Sequence, residues 1–211
     1  MYNNYIIFGS TGGTGIHIVN NLLEQGKNIT IVVRDNTKAK TIFKDNYDRI
    51  KLVIEEKMGQ GTSTKNEELK KALKSSDCLI SAIGSSIKSN PKLDEYVTVK
   101  ELIELAEEAN VKKFVLITSL YITRPYTFVA FLLNNLLPFV LGWKSLAENK
   151  LRLSKLNYMI IRPGGLNDKL ENSSILFNIP FYYQKFFYIF LYFFIFNFHL
   201  KNLLGFFKVI K

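Results

Sequence analysis

A glycine-rich segment near the start of the chain is the pattern with the clearest chemistry. It reads Gly9-Ser-Thr-Gly12-Gly13-Thr-Gly15 and directly follows the short apolar run 5–8. Glycine lets a chain turn sharply and brings backbone N–H groups close to a phosphate, because no Cβ stands in the way. The N–H groups and the dipole at the start of a helix attract the same negative charge. The segment predicts a nucleotide-binding turn formed by Gly9, Thr11, Gly12, Gly13, Thr14 and Gly15.

Two observations limit how this turn is interpreted. No Gly-Lys-Ser/Thr sequence follows the glycines, which argues against a P-loop ATPase. A glycine-rich turn that binds nothing is the alternative. The position of the turn between a predicted strand and a predicted helix favours nucleotide binding over that alternative.

The residues after the second predicted strand bear on which nucleotide is bound. The chain reads Arg34-Asp35 there, and Lys38 follows on the next predicted helix. An acidic residue at this place hydrogen-bonds the ribose 2′-hydroxyl of NAD, whereas the planar fork of an arginine suits the 2′-phosphate of NADP. Arg34 and Lys38 therefore favour NADP(H), and Asp35 keeps NAD(H) as the alternative.

Apolar runs alternate with amphipathic segments along most of the chain. Strands are predicted at 5–8, 29–33, 50–54, 78–83, 114–118 and 158–161. Helices are predicted at 16–24, 37–43, 67–73, 97–109 and 146–153. The alternation predicts an α/β fold, a Rossmann-type doubly wound parallel sheet of about six strands. We expect one domain over residues 1–171 and an atypical apolar tail over residues 172–211 that is not an independent domain.

The composition excludes several other classes of protein. With 47% hydrophobic and 22% charged residues among 211, the chain is not intrinsically disordered. A single cysteine, Cys78, and two histidines exclude a disulfide framework and predict no metal site. The net charge of +10 comes largely from lysines that alternate with acidic residues, so no nucleic-acid partner is expected.

The first residues have none of the marks of a targeting segment. No basic region precedes an apolar stretch, and the predicted fold begins within the first few residues. The unpaired Cys78 agrees with a reducing compartment. The sequence predicts a cytoplasmic protein that is a monomer or a small homo-oligomer.

Five motifs occur in an order that resembles a known family. They are the glycine turn 9–15, the sequence Val33-Arg34-Asp35, the run 77–84, the run 111–119 and the run 158–166. Together they resemble the atypical short-chain dehydrogenase/reductases, in particular the NAD(P)-binding branch similar to the nitrogen-metabolite-repression regulator and to biliverdin reductase B. The resemblance covers about residues 4–168 and implies a Rossmann fold.

The resemblance also implies roles for residues beyond the glycine turn. Those implied to bind the cofactor are Ala82, Ile83, Gly84, Ser119, Lys144, Pro163 and Gly164. Ser119 would hold the serine position of the family after the fifth strand. Lys144 would bond the nicotinamide ribose, so Ser119 and Lys144 are also the candidate catalytic residues.

Two positions depart from the pattern of the family. The catalytic tyrosine of ordinary short-chain dehydrogenases lies four residues before the lysine, and here that residue is Val140. Tyr121 and Tyr126 lie nearer the expected site and are the alternative proton donors. After the third strand the family often has an aspartate on the adenine side, where this chain offers Met58 for packing instead.

The composition changes abruptly near the C terminus. Residues 172–211 contain four lysines and no acidic residue, and most of the chain's 17 phenylalanines lie there. Three interpretations stay open for this tail: membrane contact through residues 175–207, a helix packed on the domain or in an oligomer, and an error in the gene model. A lysine-flanked apolar segment fits an anionic membrane surface.

Two functions of different classes follow from these patterns. The first is an NADPH-dependent oxidoreductase that passes a hydride to a small-molecule substrate such as a carbonyl, a quinone or a flavin. The second is a non-catalytic NAD(P)-binding sensor or an assembly or regulatory factor. Val140 and the missing proton donor keep the second function open.

Overall fold

The computed structural model describes residues 2–61 and 63–164. Predictions that fall on residues 165–211, among them the apolar tail, its membrane contact through 175–207 and the domain boundary at 171, lie outside the described residues. The sheet has six parallel strands, which confirms the predicted fold class. They are β1 (Asn4–Phe8), β2 (Asn28–Val33), β3 (Ile50–Ile54), β4 (Cys78–Ser81), β5 (Lys113–Ile117) and β6 (Tyr158–Ile161).

Within the described residues, six α-helices connect and cover the strands. They are α1 (Gly13–Glu24), α2 (Asn36–Phe43), α3 (Glu67–Lys74), α4 (Thr98–Glu108), α5 (Phe128–Leu136) and α6 (Val140–Arg152). One turn of π-helix, Leu93–Val97, leads directly into α4. Short 3₁₀ turns lie at Lys44–Arg49, Ser63–Lys65 and Leu120–Thr123.

The helix α5 was not predicted from the sequence, and α6 begins at Val140, ahead of the predicted helical segment 146–153. The sequence of α5 is apolar on nearly every side, so it lacks the helical period that marks an amphipathic helix. The Thr127 side chain accepts a hydrogen bond from the backbone N–H of Ala130 and caps the helix. Ala130 is the buried residue of α5, whereas Phe131 and Leu136 are exposed.

The helices bury both faces of the sheet. Alternate residues of β1 point to opposite sides: Ile6 and Phe8 belong to the core cluster with Leu102 of α4, and Ile7 to the cluster with Val19 of α1. Full burial of each such side chain contributes about 1.5–3 kcal/mol to the free energy of unfolding. These two cores hold the strand ends, and therefore the loops after them, in fixed positions.

The strand order is β3-β2-β1-β4-β5-β6. The chain starts at β1, moves outward to β3, and returns to pair β4 with the other edge of β1. Ligands of such sheets bind outside the carboxyl ends of the strands, at the point where the order reverses. The topology therefore places the candidate site beside the loops that follow β1 and β4.

In the part of the chain that the structure describes, no single helix is long and apolar enough to cross a membrane. The helices α5 and α6 meet the length and composition criteria only as a pair, and the pair is bent by 95°.

Candidate functional site

A cleft of about 380 Å³ lies at the carboxyl ends of β1 to β4. Residues 9–12 of the glycine turn line it after β1, and Arg34 with Lys38 line it after β2. Ala82, Ile83 and Gly84 line it after β4. The structure thus brings residues 9–12, Arg34 with Lys38 and residues 82–84 together at one cleft.

The glycines of the turn have two different structural roles. Gly9 has a φ of +75°, and a Cβ there would lie 2.5 Å from the carbonyl oxygen of Ala82. A Cβ on Gly15 would lie 2.1 Å from the carbonyl oxygen of Gly9. Gly12 has an extended backbone, and a Cβ on Gly13 would contact nothing within 4 Å. Gly9 and Gly15 are therefore required for the fold, whereas Gly12 and Gly13 leave space open.

The start of α1 fits a bound anion. Gly13, Thr14 and Gly15 form its first turn, no side chain caps that end, and the turn contains no acidic residue. Ser10 lines the cleft, but its hydroxyl oxygen is buried and has no hydrogen-bond partner among the described residues. The uncapped N–H groups at the helix start are suited to phosphate oxygens.

The residues after β2 divide between the cleft and the next helix. Arg34 and Lys38 are exposed and line the cleft. Asp35 instead caps α2, where its carboxylate accepts a hydrogen bond from the backbone N–H of Thr37 at 2.8 Å. Arg34 and Lys38 therefore bring positive charge to the cleft, whereas the Asp35 carboxylate is bonded to the start of α2.

Residues after β3 complete the cleft on its outer side. Met58 lines the cleft, at the place the sequence analysis assigned to it, beside Glu55 and Glu56, which that analysis did not assign to the site. The backbone N–H of Gly59 donates to the buried carboxylate of Glu101 on α4 at 2.7 Å. That bond holds the loop after β3 against α4.

Lys144 makes an ion pair that the sequence analysis did not predict. Its ammonium donates to Glu95 Oε2 at 2.6 Å, and the backbone N–H of Ser85 donates to Glu95 Oε1 at 2.7 Å. Ser85 directly follows Gly84, which lines the cleft. Lys144 itself is not among the residues that line the cleft, so its contact with a nicotinamide ribose stays a prediction.

Ser119 and the segment after β6 lie together at the ends of β5 and β6. The Ser119 hydroxyl accepts a hydrogen bond from the backbone N–H of Tyr121 at 3.3 Å. The backbone N–H of Leu120 donates to the carbonyl oxygen of Pro163 at 2.8 Å, and a Cβ on Gly164 would lie 3.9 Å from the Leu120 side chain. The described cleft does not include Ser119, Pro163 or Gly164, so their cofactor contacts stay predictions.

The position of the missing tyrosine is part of the hydrophobic core. Val140 is 3% exposed and packs in a cluster with Ala130 and Leu141. Tyr121 packs against the same cluster, and Tyr126 is 91% exposed. Neither tyrosine lines the described cleft.

A buried carboxylate beside Ser119 joins β5, α6 and β6. Glu148 is 1% exposed. It accepts hydrogen bonds from Thr118 at 2.7 Å, from Arg152 at 2.7 Å and from the Arg162 Nε at 2.9 Å. Burial alone would raise the pKa of Glu148, but the hydrogen bonds from Arg162, Thr118 and Arg152 outweigh it and lower the pKa to about 2.

Replacement of Glu148 with glutamine is expected to lower the free energy of unfolding by about 2–3 kcal/mol at neutral pH, because hydrogen bonds to a charged group are lost. The folded-state pKa of about 2 lies below the ordinary value of 4.5. The stabilisation is therefore present above pH 4.5 and is lost as the pH falls toward 2. Urea unfolding at several pH values should show the two proteins converge in acid. A difference that stays constant with pH would contradict this account.

Within residues 2–61 and 63–164, no group of three or more histidine, cysteine, aspartate or glutamate side chains could hold a metal ion.

Comparison with known families decides which family this chain is part of. Residues 9–178 match the family described as NAD(P)H-binding. The chain belongs to this family. The match confirms the NAD(P)-binding resemblance indicated by the five motifs, and the fold is that of an NAD(P)-binding oxidoreductase.

Curated relatives with similar sequences are plant proteins. The chain is 32% identical over 177 residues to the chloroplast protein TIC 62 of Arabidopsis thaliana, a match over 76% of this chain. It is 32% identical over 175 residues, or 81% of this chain, to an uncharacterized chloroplast protein of the same plant. The matched part spans 27% of the first relative and 61% of the second.

Solved structures with the same fold include an oxidoreductase and a short-chain dehydrogenase/reductase. The oxidoreductase ylbE from Lactococcus lactis has a TM-score of 0.65 and 22% identity, over 79% of this chain and 71% of that chain. A short-chain dehydrogenase/reductase from Veillonella parvula, solved in complex with NADP, has a TM-score of 0.58 and 18% identity. That match covers 77% of this chain and 69% of the other.

Proposed function

We propose that the chain binds NADPH in the cleft and passes its hydride to a small-molecule acceptor. The observation that carries the proposal is the pair of cations, Arg34 and Lys38, that line the same cleft as the glycine turn. The uncapped start of α1 supports it, because the pyrophosphate of a dinucleotide would lie at this helix start.

The preference for NADPH over NADH follows from the charges at the end of β2. The Arg34 guanidinium and the Lys38 ammonium suit the 2′-phosphate, which NADH lacks. The carboxylate of Asp35 caps α2. Glu55 also lines the cleft, but Asn66 donates to its carboxylate at 2.9 Å and the backbone of Lys57 at 3.4 Å. NAD(H) remains the weaker ligand in this account.

Arg34→Ala is therefore expected to reduce the preference for NADPH over NADH by about tenfold to a hundredfold, because charge-assisted hydrogen bonds to phosphate are lost. NADH affinity should change little. Lys40→Ala is the matched control, since Lys40 is an exposed cation on α2 that does not line the cleft. Dissociation constants for both nucleotides can be measured by calorimetry. An unchanged ratio in Arg34→Ala would show that the 2′-phosphate lies elsewhere.

The acceptor is constrained by the residues near the expected reaction site. NADPH supplies the hydride when bound. Val140 is buried and has no proton to donate, so a tyrosine-dependent reduction of a ketone is disfavoured. Quinones and flavins fit better, because they can take their proton from water. Ser119 and Lys144 are the residues proposed to orient the acceptor and the nicotinamide ribose.

NADPH oxidation in the presence of quinones, flavins, aldehydes and ketones tests this function. We expect turnover with a quinone or a flavin and little with a simple ketone. The second candidate is a non-catalytic NADPH-binding sensor or regulatory factor, which the buried Val140 favours. Tight NADPH binding without turnover on any acceptor would support the second function and contradict the first.

The location that we propose is a plastid, since both curated relatives named above are chloroplast proteins. This differs from the cytoplasmic location expected from the first residues of the chain. Fluorescence microscopy of the tagged full-length protein in its source cells would separate the two locations.

A further inference from the structure

A buried acidic side chain holds the wall of the cleft that follows β4. Glu95 is 3% exposed and belongs to the π-helical turn before α4. Its two oxygens accept hydrogen bonds from Ser85 in the loop after β4 and from Lys144 on α6. One carboxylate therefore joins three parts of the fold that are distant in sequence.

The residues on both sides of this contact line the cleft. Gly84 and Ser86 flank Ser85, and Leu93 and Asp94 directly precede Glu95. Any shift of the Glu95 carboxylate would move the loop from Gly84 to Ser86 relative to the start of α4. The width of this part of the cleft therefore depends on Glu95.

The strand order shows which half of a dinucleotide this wall would meet. Arg34 lies after β2, on one side of the glycine turn, and Ser85 lies after β4, on the other side. A dinucleotide that places its adenosine phosphate at Arg34 extends across the glycine turn toward β4. The wall held by Glu95 is therefore on the nicotinamide side.

The ammonium of Lys144 compensates the buried negative charge of Glu95. A buried carboxylate is costly unless a cation and hydrogen bonds compensate it. The side chain of Lys144 is 14% exposed, so the pair is largely shielded from water. Lys144 neutralises Glu95, and Glu95 in turn fixes the Lys144 ammonium at one place behind the cleft wall.

We propose that Glu95 is a positioning residue for the nicotinamide half of the cofactor. Its carboxylate fixes the loop from Gly84 to Ser86 and holds the Lys144 ammonium at a fixed position relative to that loop. The inference rests on the proposed function, because it assumes that NADPH occupies the cleft. It extends that function, because Glu95 would support the nicotinamide half of the cleft and Arg34 the adenosine half.

The dissociation constants of two ligands distinguish this role from a general effect on stability. NADPH spans both halves of the cleft, whereas adenosine 2′,5′-bisphosphate contains only the adenosine half. Glutamine at position 95 has one acceptor oxygen, so it cannot accept from both Ser85 and Lys144 as the carboxylate does. Glu95→Gln should raise the dissociation constant of NADPH about tenfold or more and leave that of adenosine 2′,5′-bisphosphate nearly unchanged.

Two further variants make the comparison sharper. Glu104→Gln is the matched control, because Glu104 is an exposed residue of α4 that pairs with Lys150 of α6 at 3.3 Å. It should bind both ligands like the unaltered protein. Glu95→Asp keeps the negative charge beside Lys144 and should bind NADPH with an affinity between those of the unaltered protein and Glu95→Gln. Thermal unfolding of each variant shows whether it is folded.

Each outcome decides between the alternatives. Selective loss of NADPH affinity in Glu95→Gln, with partial recovery in Glu95→Asp, supports the positioning role. Equal loss of both ligands in Glu95→Gln, or full NADPH affinity in that variant, overturns it while the proposed function stands. Failure of the unaltered protein to bind either ligand overturns the proposed function and this inference with it.

Discussion

Replacement of Gly12 with valine is expected to reduce NADPH affinity by more than about a hundredfold while the protein stays folded. The backbone of Gly12 is extended, with φ −87° and ψ 164°, a conformation that valine adopts readily. A Cβ there would lie 3.4 Å from the carbonyl oxygen of Gly9, which is an ordinary contact. Because Gly12 lines the cleft, the branched side chain would occupy the space of the pyrophosphate.

Calorimetric titration with NADPH and a thermal unfolding curve measure the two parts of this prediction. Gly12→Ala should give a smaller loss of affinity, because it adds only one carbon. Gly13→Val should behave like Gly12→Val, since the space around Gly13 is open to a side chain. Unchanged affinity in both valine variants would place the nucleotide at another site.

Gly15→Ala is expected to destabilise the fold by roughly 4 kcal/mol or more, because its Cβ would overlap the backbone. The added atom would lie 2.1 Å from the carbonyl oxygen of Gly9 and 2.7 Å from the Cα of Ser10. The backbone of a tight turn and the first turn of α1 would both have to move. Urea unfolding of the folded variant, or its failure to give soluble folded protein, measures the effect.

Gly13→Ala is the matched control for this prediction. Both glycines belong to the first turn of α1, but a Cβ on Gly13 would meet nothing within 4 Å. Alanine favours the helix over glycine by up to about 1 kcal/mol, so this variant should be as stable as the unaltered protein or slightly more stable. Equal stability of the two alanine variants would contradict the close contact between α1 and the end of β1.

Much of the fold could be predicted because its signals are local in sequence. The buried strands contain apolar runs, such as residues 31–33 of β2, that end at the turn or loop residues of the site. The helix α5 could not be predicted, since its sequence is apolar without a clear period. The strand β6 was predicted by its apolar residues, although Met159 and Ile161 are exposed at the edge of the described sheet.

The residues of the candidate site also differ in whether the sequence predicts them. The glycine turn and Arg34 could be recognised because each lies directly after a strand. Asp35 precedes a predicted helix, so its capping role has a sequence signal that the analysis did not use. The pair of Glu95 and Lys144 joins residues 49 positions apart, and Glu95 lies in a charged segment that is typical of a solvated surface. Only tertiary packing shows that this carboxylate is buried.

The central claim is that the cleft binds NADPH through Arg34 and the glycine turn. Its most direct test is calorimetric titration of the unaltered protein with NADPH and, separately, with NADH. The account predicts a single NADPH site with an affinity at least about tenfold higher than that for NADH, since one 2′-phosphate forms charge-assisted bonds. Equal affinity for the two nucleotides, or no binding of NADPH, would contradict it.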